Sequence, residues 1–433
     1  MELFDFQKKI LEKTKDKNKV AYYLDMGMGK TFVGAEKLVR LNTRINLVVC
    51  QKSKIKDWDD HFVNHYELSQ NAMIYDLTMW NKKDWESFNK DVQFKNDWHE
   101  AKKYILIINY DLLFRRPELA QLKDFTLMLD ESSMIQNDSA KRTKFCLKLQ
   151  AENVILLSGT PTSGKYENLY SQCKLLGWDI PKKMFWNHYI ETENVELQNG
   201  VVFKKVIGYK NVDRLKRKLA EHGAIFMKSE DAKLDLPDVT NITVNVNVIP
   251  EYKKFMKTSI VKIKDTELVG DTSLTKLLYA RQLCGMFNKN KLDSFKDLIQ
   301  STNDRIIVFY NFTSELYAME DICIELNKPI SIVNGDEKDL RGFETFDNCV
   351  TLIQYRAGAM GLNLQKANKT IYFSLPLSSE LFEQSKKRTH RIGQEKPCFY
   401  YYLICKDSVE EKILETLQMR KDYTDELFKK DHV

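Results

Sequence analysis

LDMGMGKT, residues 24–31, decides how the rest of this chain is read. The apolar run VAYYL at 20–24 leads into it as a strand, and Lys30 and Thr31 open a helix. Gly27, Met28 and Gly29 supply the intervening backbone, the two glycines letting N–H groups come close to phosphate oxygens. The helix N-terminus adds a favourable dipole, Lys30 neutralises β/γ-phosphate charge, and the Thr31 hydroxyl can hold Mg²⁺. Leu24 stands where the common GxxxxGK[ST] pattern has its first glycine. A chance GxGKT in a loop is the competing reading, and the strand before and helix after argue against it.

Working outward, a carboxylate pair follows the strand-like run at 125–129. Asp130 is placed to bind Mg²⁺ and Glu131 to polarise an attacking water. The bland alternative is a helix start, which acidic residues with Ser132 and Ser133 would also suit. Gln7, in LFDFQKK before the first helix, has an amide able to read an adenine edge, against the plain alternative of a surface glutamine. Near the other end, QSKKRTHRIGQ at 384–394 carries Arg388 and Arg391 three apart. They are candidates to stabilise transition-state charge, and a continuous helix would put both on one face. Lys386 and Lys387 beside them support a basic helix face instead.

The chain has 433 residues, enough for two or three domains, each with its own core. Hydrophobic content of 43% and charged content of 30% describe an ordinary globular protein. Net charge is +6, from 67 basic and 61 acidic residues, so any nucleic-acid track must be a local patch. The eight cysteines form no CxxC pair, which predicts reduced thiols and no zinc centre. The N-terminus MELFDFQKK has no apolar leader, and the longest apolar runs are strand-sized. The expectation is a cytoplasmic monomer with no membrane partner.

Short apolar runs recur at 45–50, 105–108, 125–129 and 154–157, and again at 306–310, 330–333, 350–353 and 370–373. Alternating with helical stretches, they predict two α/β lobes, each built on a parallel sheet. Residues 165–290 change in character and predict a mainly helical insertion, with helices over 174–190, 212–222 and 274–286. Within it, 241–248 alternates like a half-exposed strand. Pro237 marks a break, so the lobe boundary is set at 236/237, giving lobes 1–236 and 237–433.

These blocks together resemble the Swi/Snf-like branch of superfamily-two helicases and translocases, in a compact form like those of phages and mobile elements. LVVCQKSKIKDWDDHF (47–62), ILIINYDLL (105–113), LDES, LLSGTP and LYSQCKLLG (169–177) follow the phosphate loop in family order. VFYNF (308–312), VNGD (333–336), RAGAMGLNLQ (356–365) and RTHRIGQ (388–394) complete the series, and VEEKILE (409–415) resembles the closing helix. The resemblance implies two RecA-like lobes using ATP and Mg²⁺ to move along DNA, duplex or branched. It implies that Ser158 and Thr160 link ATP state to DNA contact. It also implies that Gly361, Leu362 and Asn363 lie near nucleotide and DNA, and that Gln384 and Gln394 help assemble the nucleotide site. Three departures stand out: Ser133 for the usual histidine, Gln354-Tyr355 for Ser-Thr, and FMKSED (226–231) for an Arg-rich crossover.

Lys52 and Lys54, after the strand ending at Cys50, are candidates for DNA phosphate contact. The basic run from Lys204 to Lys218 is a weaker candidate, since solvated helix faces look the same. The leading expectation is a DNA-dependent ATPase translocating on duplex DNA. A strand-separating helicase and a weakly active motor-like subunit of a replication or restriction assembly are the alternatives.

Overall fold

The computed structural model describes residues 2–66, 72–93, 103–196, 200, 202–232, 236–263, 266–358 and 362–428. The chain divides into two compact units, 1–233 with 423–433, and 234–422.

The described residues of the first unit form nine strands: β1 Lys19–Leu24, β2 Ile45–Cys50, β3 Ala72–Asp76, β4 Lys103–Asn109, β5 Phe125–Asp130, β6 Asn153–Ser158, β7 Ile190–Glu196, β8 Val202–Tyr209 and β9 Ala224–Met227. Seven of them form one sheet in the order β3-β4-β2-β5-β6-β1-β9, with every pair parallel. The central strands are buried on both faces, which is why INLVVC and NVILLS read as continuous apolar runs rather than alternating ones. Helix Lys30–Leu41 lies hard against the sheet at Gly34, where a Cβ would stand 2.6 Å from Leu157 Cδ1 and 3.2 Å from Met128 Sδ. Any larger residue there would force Leu157 to move.

The second unit holds β10 Val239–Val246, β11 Ile260–Ile263, β12 Thr266–Val269, β13 Ile306–Tyr310, β14 Ile330–Val333, β15 Lys338–Asp339, β16 Val350–Gln354, β17 Lys369–Tyr372 and β18 Cys398–Cys405. Its sheet runs β10-β18-β17-β13-β16-β14-β15 and is parallel except for the β14–β15 pair. The expected fold class, two parallel-sheet α/β lobes, is therefore present.

The stretch 165–290 is more divided than the sequence suggests. The helix expected over 174–190 is two, Tyr170–Leu175 and Lys182–Tyr189. Gly177, at φ +83°, and Pro181 break it. Two antiparallel hairpins, β7–β8 and β11–β12, also occupy this stretch. Its β9 and β10 are edge strands of the first and second sheets respectively. Among the described residues no helix is long and apolar enough to cross a membrane.

Lys291 and Glu410 form a buried ion pair in the second unit, with Nζ 2.6 and 2.8 Å from the two carboxylate oxygens. Cys284 and Cys405 lie beside it, but Glu410 is already held by Lys291 and by the Cys405 N–H, so the cluster is an ion pair and not a metal centre. Lys291→Met should destabilise this unit by about 3–5 kcal/mol, because it strands a buried carboxylate. Lys291→Met with Glu410→Leu should recover much of that loss. Urea unfolding of the two variants checks the difference.

Candidate functional site

Three chain segments with chemical content leave the first sheet side by side. The register pairs Tyr23 with Ser158 and Asp130 with Leu157. The C-terminal ends of β1, β5 and β6 therefore lie level at one sheet edge. From that edge start the phosphate loop (25–30), the acidic element (130–135) and the SGTP segment (158–161). Ligands of open parallel sheets bind at this end of the strands.

The loop backbone is left-handed at Gly27, φ +83°, and at Gly29, φ +70°, and helix Lys30–Leu41 begins at once. Lys30 Nζ donates to the Leu24 carbonyl at 3.1 Å and to the Asp25 carbonyl at 3.4 Å, folding the ammonium back over the loop. Met28 has its side chain fully buried, so only its backbone belongs to the cradle. Thr31 is half-buried at the second helical position. Asp25 anchors the loop from below: its carboxylate accepts from Met26 N at 2.8 Å and from Ser229 Oγ at 2.9 Å. Ser229 belongs to FMKSED, and this bond is a role the sequence did not reveal.

Gln7 lies inside helix Asp5–Lys13, not before it. It is 2% exposed. Its Oε1 accepts from Phe4 N and its Nε2 donates to the Met28 carbonyl, both at 3.0 Å. In this structure the amide thus clasps the first helix to the phosphate loop rather than presenting a free edge. Gln7→Ala should raise the KM for ATP several-fold with a smaller effect on kcat, because the loop loses a fixed support; steady-state kinetics checks it.

Asp130 ends β5, and its Oδ2 accepts from Trp58 Nε1 at 2.9 Å. Burial pushes its carboxyl above the usual carboxylate range, opposed by the Trp58 indole and by the Lys30 and Lys54 ammonium charges. A divalent cation would favour the ionised form further. Glu131 adopts a left-handed backbone at φ 52°, a conformation that costs about 1 kcal/mol or more for a non-glycine residue. Tyr110 holds that turn, donating from its hydroxyl to the Asp130 carbonyl at 2.8 Å and the Glu131 carbonyl at 3.3 Å. Ser158 Oγ accepts from Thr160 N at 3.1 Å. Thr160 is 6% exposed, and its hydroxyl has no partner among the described residues. Lysines 52 and 54 flank a short 3₁₀ turn after β2, Lys52 exposed and Lys54 paired with Asp57 at 2.5 Å.

In the second unit, the helix meant to place Arg388 and Arg391 on one face does not hold. It spans Ser379–Lys386, and both arginines follow it in turns. The Tyr400 hydroxyl takes the Lys386 carbonyl at 2.6 Å, and Gly393 turns left-handed at φ +93°. Gln394 secures the turn: its Nε2 donates to the carbonyls of Gln365, Ala367 and Thr389 at 2.9–3.2 Å. Arg391 Nη1 donates to Asn363 Oδ1 at 2.7 Å, bringing two of the expected residues together. Burial lowers the Arg391 pKa, yet the guanidinium remains a cation at any working pH. Gln384 is buried, its amide donating to Glu380 at 3.4 Å. Gly361 lies outside the described residues.

The Gln354-Tyr355 departure has a structural use. Gln354 Nε2 donates to the Asn311 carbonyl at 3.2 Å, and the buried Tyr355 hydroxyl donates to the Ser374 carbonyl at 3.0 Å. Glu315, fully buried and missed by sequence reading, gathers the same loops by accepting from Asn311 N, Phe312 N and Ser374 Oγ. The basic run 204–218 is partly neutralised, Lys205 by Glu193 across the β7–β8 hairpin and Lys218 by Glu221.

A family model described as the SNF2-related domain matches residues 14–292, and one described as the helicase conserved C-terminal domain matches residues 290–393. The chain belongs to the SNF2-related family. Among curated relatives, this SNF2-related chain is similar to the ISWI chromatin-remodeling complex ATPase ISW2 of Saccharomyces cerevisiae. Identity is 23% over 435 residues, covering 90% of this chain and 37% of that one. An uncharacterized ATP-dependent helicase of Mycoplasma pneumoniae is 23% identical over 395 residues, covering 82% and 37% respectively. The chain thus spans little more than a third of the length of these relatives. Among solved structures, the Sulfolobus solfataricus SWI2/SNF2 ATPase core in complex with dsDNA aligns with a TM-score of 0.46 at 20% identity, covering 98% of this chain and 92% of that one.

Proposed function

We propose that this SNF2-related chain is a DNA-dependent ATPase that couples hydrolysis of ATP to movement along duplex DNA. The observation that carries the reading is the level grouping of Lys30, Asp130, Glu131 and the SGTP segment at one sheet edge. The residues suit a magnesium nucleotide: a left-handed glycine loop opens a helix, an ammonium lies over that loop, and a carboxylate is fixed by an indole. Bound Mg²⁺ would neutralise charge developing on the phosphates. Thr31 and Asp130 hold that ion, Lys30 binds β/γ-phosphate, and Glu131 orients and deprotonates the attacking water.

Arg391, with Arg388, supplies further positive charge to the transferring phosphoryl group. Ser158 and Thr160 pass the state of the DNA contact to the acidic element. Lys52 takes DNA phosphate, with Lys54 once it leaves Asp57, and Asn363 with the Gly361 segment supports Arg391. For Gln7 to read adenine it must exchange its bond to Met28, so its first contribution is to the loop. Residues 1–236 act as the ATP-binding lobe and 237–433 as its catalytic partner, in a monomer.

Duplex translocation rather than strand separation is tested by two assays on one preparation. The reading expects ATP-dependent displacement of a triplex-forming strand and no unwinding of a forked duplex. Efficient fork unwinding without triplex displacement would assign the chain to strand-separating helicases.

A further inference from the structure

Gln172, inside LYSQCKLLG but given no role there, bonds to the acidic element, to the SGTP segment and to the strand that feeds the phosphate loop. It lies in the short helix Tyr170–Leu175 and is 0% exposed. Its Oε1 accepts from the Tyr23 hydroxyl at 2.9 Å and the Ser132 hydroxyl at 2.8 Å. Its Nε2 donates to the Pro161 carbonyl at 2.8 Å. Tyr23 precedes the phosphate loop by two residues, Ser132 directly follows Glu131, and Pro161 directly follows Thr160.

The chemistry fixes the orientation of this amide. A peptide carbonyl only accepts, so the NH₂ end must face Pro161. Both hydroxyls must then donate to Oε1, which sets their protons as well. One helical turn away, Asn168 Nδ2 donates to the Thr162 carbonyl at 2.8 Å and to Gln136 Oε1 at 2.9 Å. Gln136 Nε2 in turn donates to Ser163 Oγ at 2.8 Å. An inner buried clasp therefore binds the SGTP segment to the acidic element, and an outer half-buried one binds the residues that directly follow each, Thr162 and Ser163 to Gln136. Only the inner one also reaches the strand that feeds the phosphate loop.

We propose that Gln172 is a positioning residue that transmits the DNA-bound state of the SGTP segment to Glu131 and the phosphate loop. The inference rests on the DNA-dependent ATPase reading and deepens it. A displacement of Pro161 pulls the amide, and the amide carries Ser132 and Tyr23 with it. Gln172 is fully buried and its amide is bonded to Tyr23, Ser132 and Pro161, so its loss should spare DNA-free chemistry and uncouple DNA from it.

The test compares wild type, Gln172→Leu and Gln172→Glu by steady-state ATP turnover with and without saturating duplex DNA, from acidic to mildly alkaline pH. Gln172→Leu should keep its KM for ATP and its DNA-free turnover. Its DNA stimulation should fall about tenfold, as expected for losing one or two net hydrogen bonds of positioning. Gln172→Glu gives the sharper readout and serves if the leucine variant does not fold. Burial should raise the new carboxyl's pKa. Below that pKa its O–H can donate to the Pro161 carbonyl while its C=O accepts from Tyr23 and Ser132, restoring the wild-type pattern. Above it the donor is gone. DNA stimulation relative to wild type at the same pH should therefore be near one in acid and decline as pH rises. Undiminished stimulation in Gln172→Leu, or a pH-independent ratio for Gln172→Glu, would overturn the inference while leaving a DNA-stimulated wild type intact. A wild type indifferent to DNA would overturn the functional reading, and this inference with it.

Discussion

Glu131→Gln is expected to bind ATP about as well as wild type and to lose turnover by about 10²–10⁴-fold, the usual contribution of a positioned general base. Binding should survive because Lys30, Thr31, Asp130 and the Gly27–Gly29 backbone all remain in the variant. The Tyr110 bonds that hold the turn go to the carbonyls of Asp130 and Glu131, not to the Glu131 carboxylate. The amide is nearly isosteric, so the left-handed backbone at φ 52° need not change. Lys30→Ala should differ, weakening nucleotide binding and turnover together. Fluorescent-nucleotide binding with single-turnover hydrolysis separates the two patterns. Hydrolysis by Glu131→Gln at the wild-type rate would remove Glu131 from the chemistry.

Arg391→Ala is expected to bind ATP nearly normally and to hydrolyse it about 10²-fold or more slowly even at saturating DNA, as other arginine fingers do. Its guanidinium is held by Asn363 Oδ1, so Asn363→Ala should reproduce part of the loss by releasing the arginine from its fixed position. A finger and a DNA contact differ in salt dependence. Removing a phosphate contact should change the slope of log affinity against log salt by about one, whereas removing a finger should leave it unchanged. Arg388→Ala should fall on the finger side by the same criterion. Full DNA-stimulated turnover by Arg391→Ala would contradict the role given to RTHRIGQ.

What was legible in the sequence is what one segment determines by itself. Strands such as INLVVC and IIVFY are buried on both faces, so composition and length suffice to find them. The phosphate loop was legible because positive φ at its glycines and the helix after it are local requirements. The turns that carry Arg388 and Arg391 were not, because they are held by distant partners, among them the Tyr400 hydroxyl on the Lys386 carbonyl and the Gln394 amide on Gln365 and Ala367. The β7–β8 hairpin escaped for another reason: IETENVE is mostly exposed and polar, with little core-facing period to detect. Gln172 and Glu315 lie in helices that carry other polar residues, and only tertiary structure shows which of these are buried and what they bond. For Gln7 and Gln394 the hydrogen-bond partners were not legible, since amide partners depend on which loops meet them.

The grouped carboxylates and phosphate loop are expected to hydrolyse ATP under the control of DNA. The direct measurement is the steady-state ATPase rate of the wild-type chain with Mg²⁺, alone and with saturating duplex DNA, single-stranded DNA, branched DNA or RNA. Low turnover alone, strong stimulation by duplex DNA and weaker stimulation by RNA are expected. Equal rates in the presence and absence of every nucleic acid would contradict this expectation.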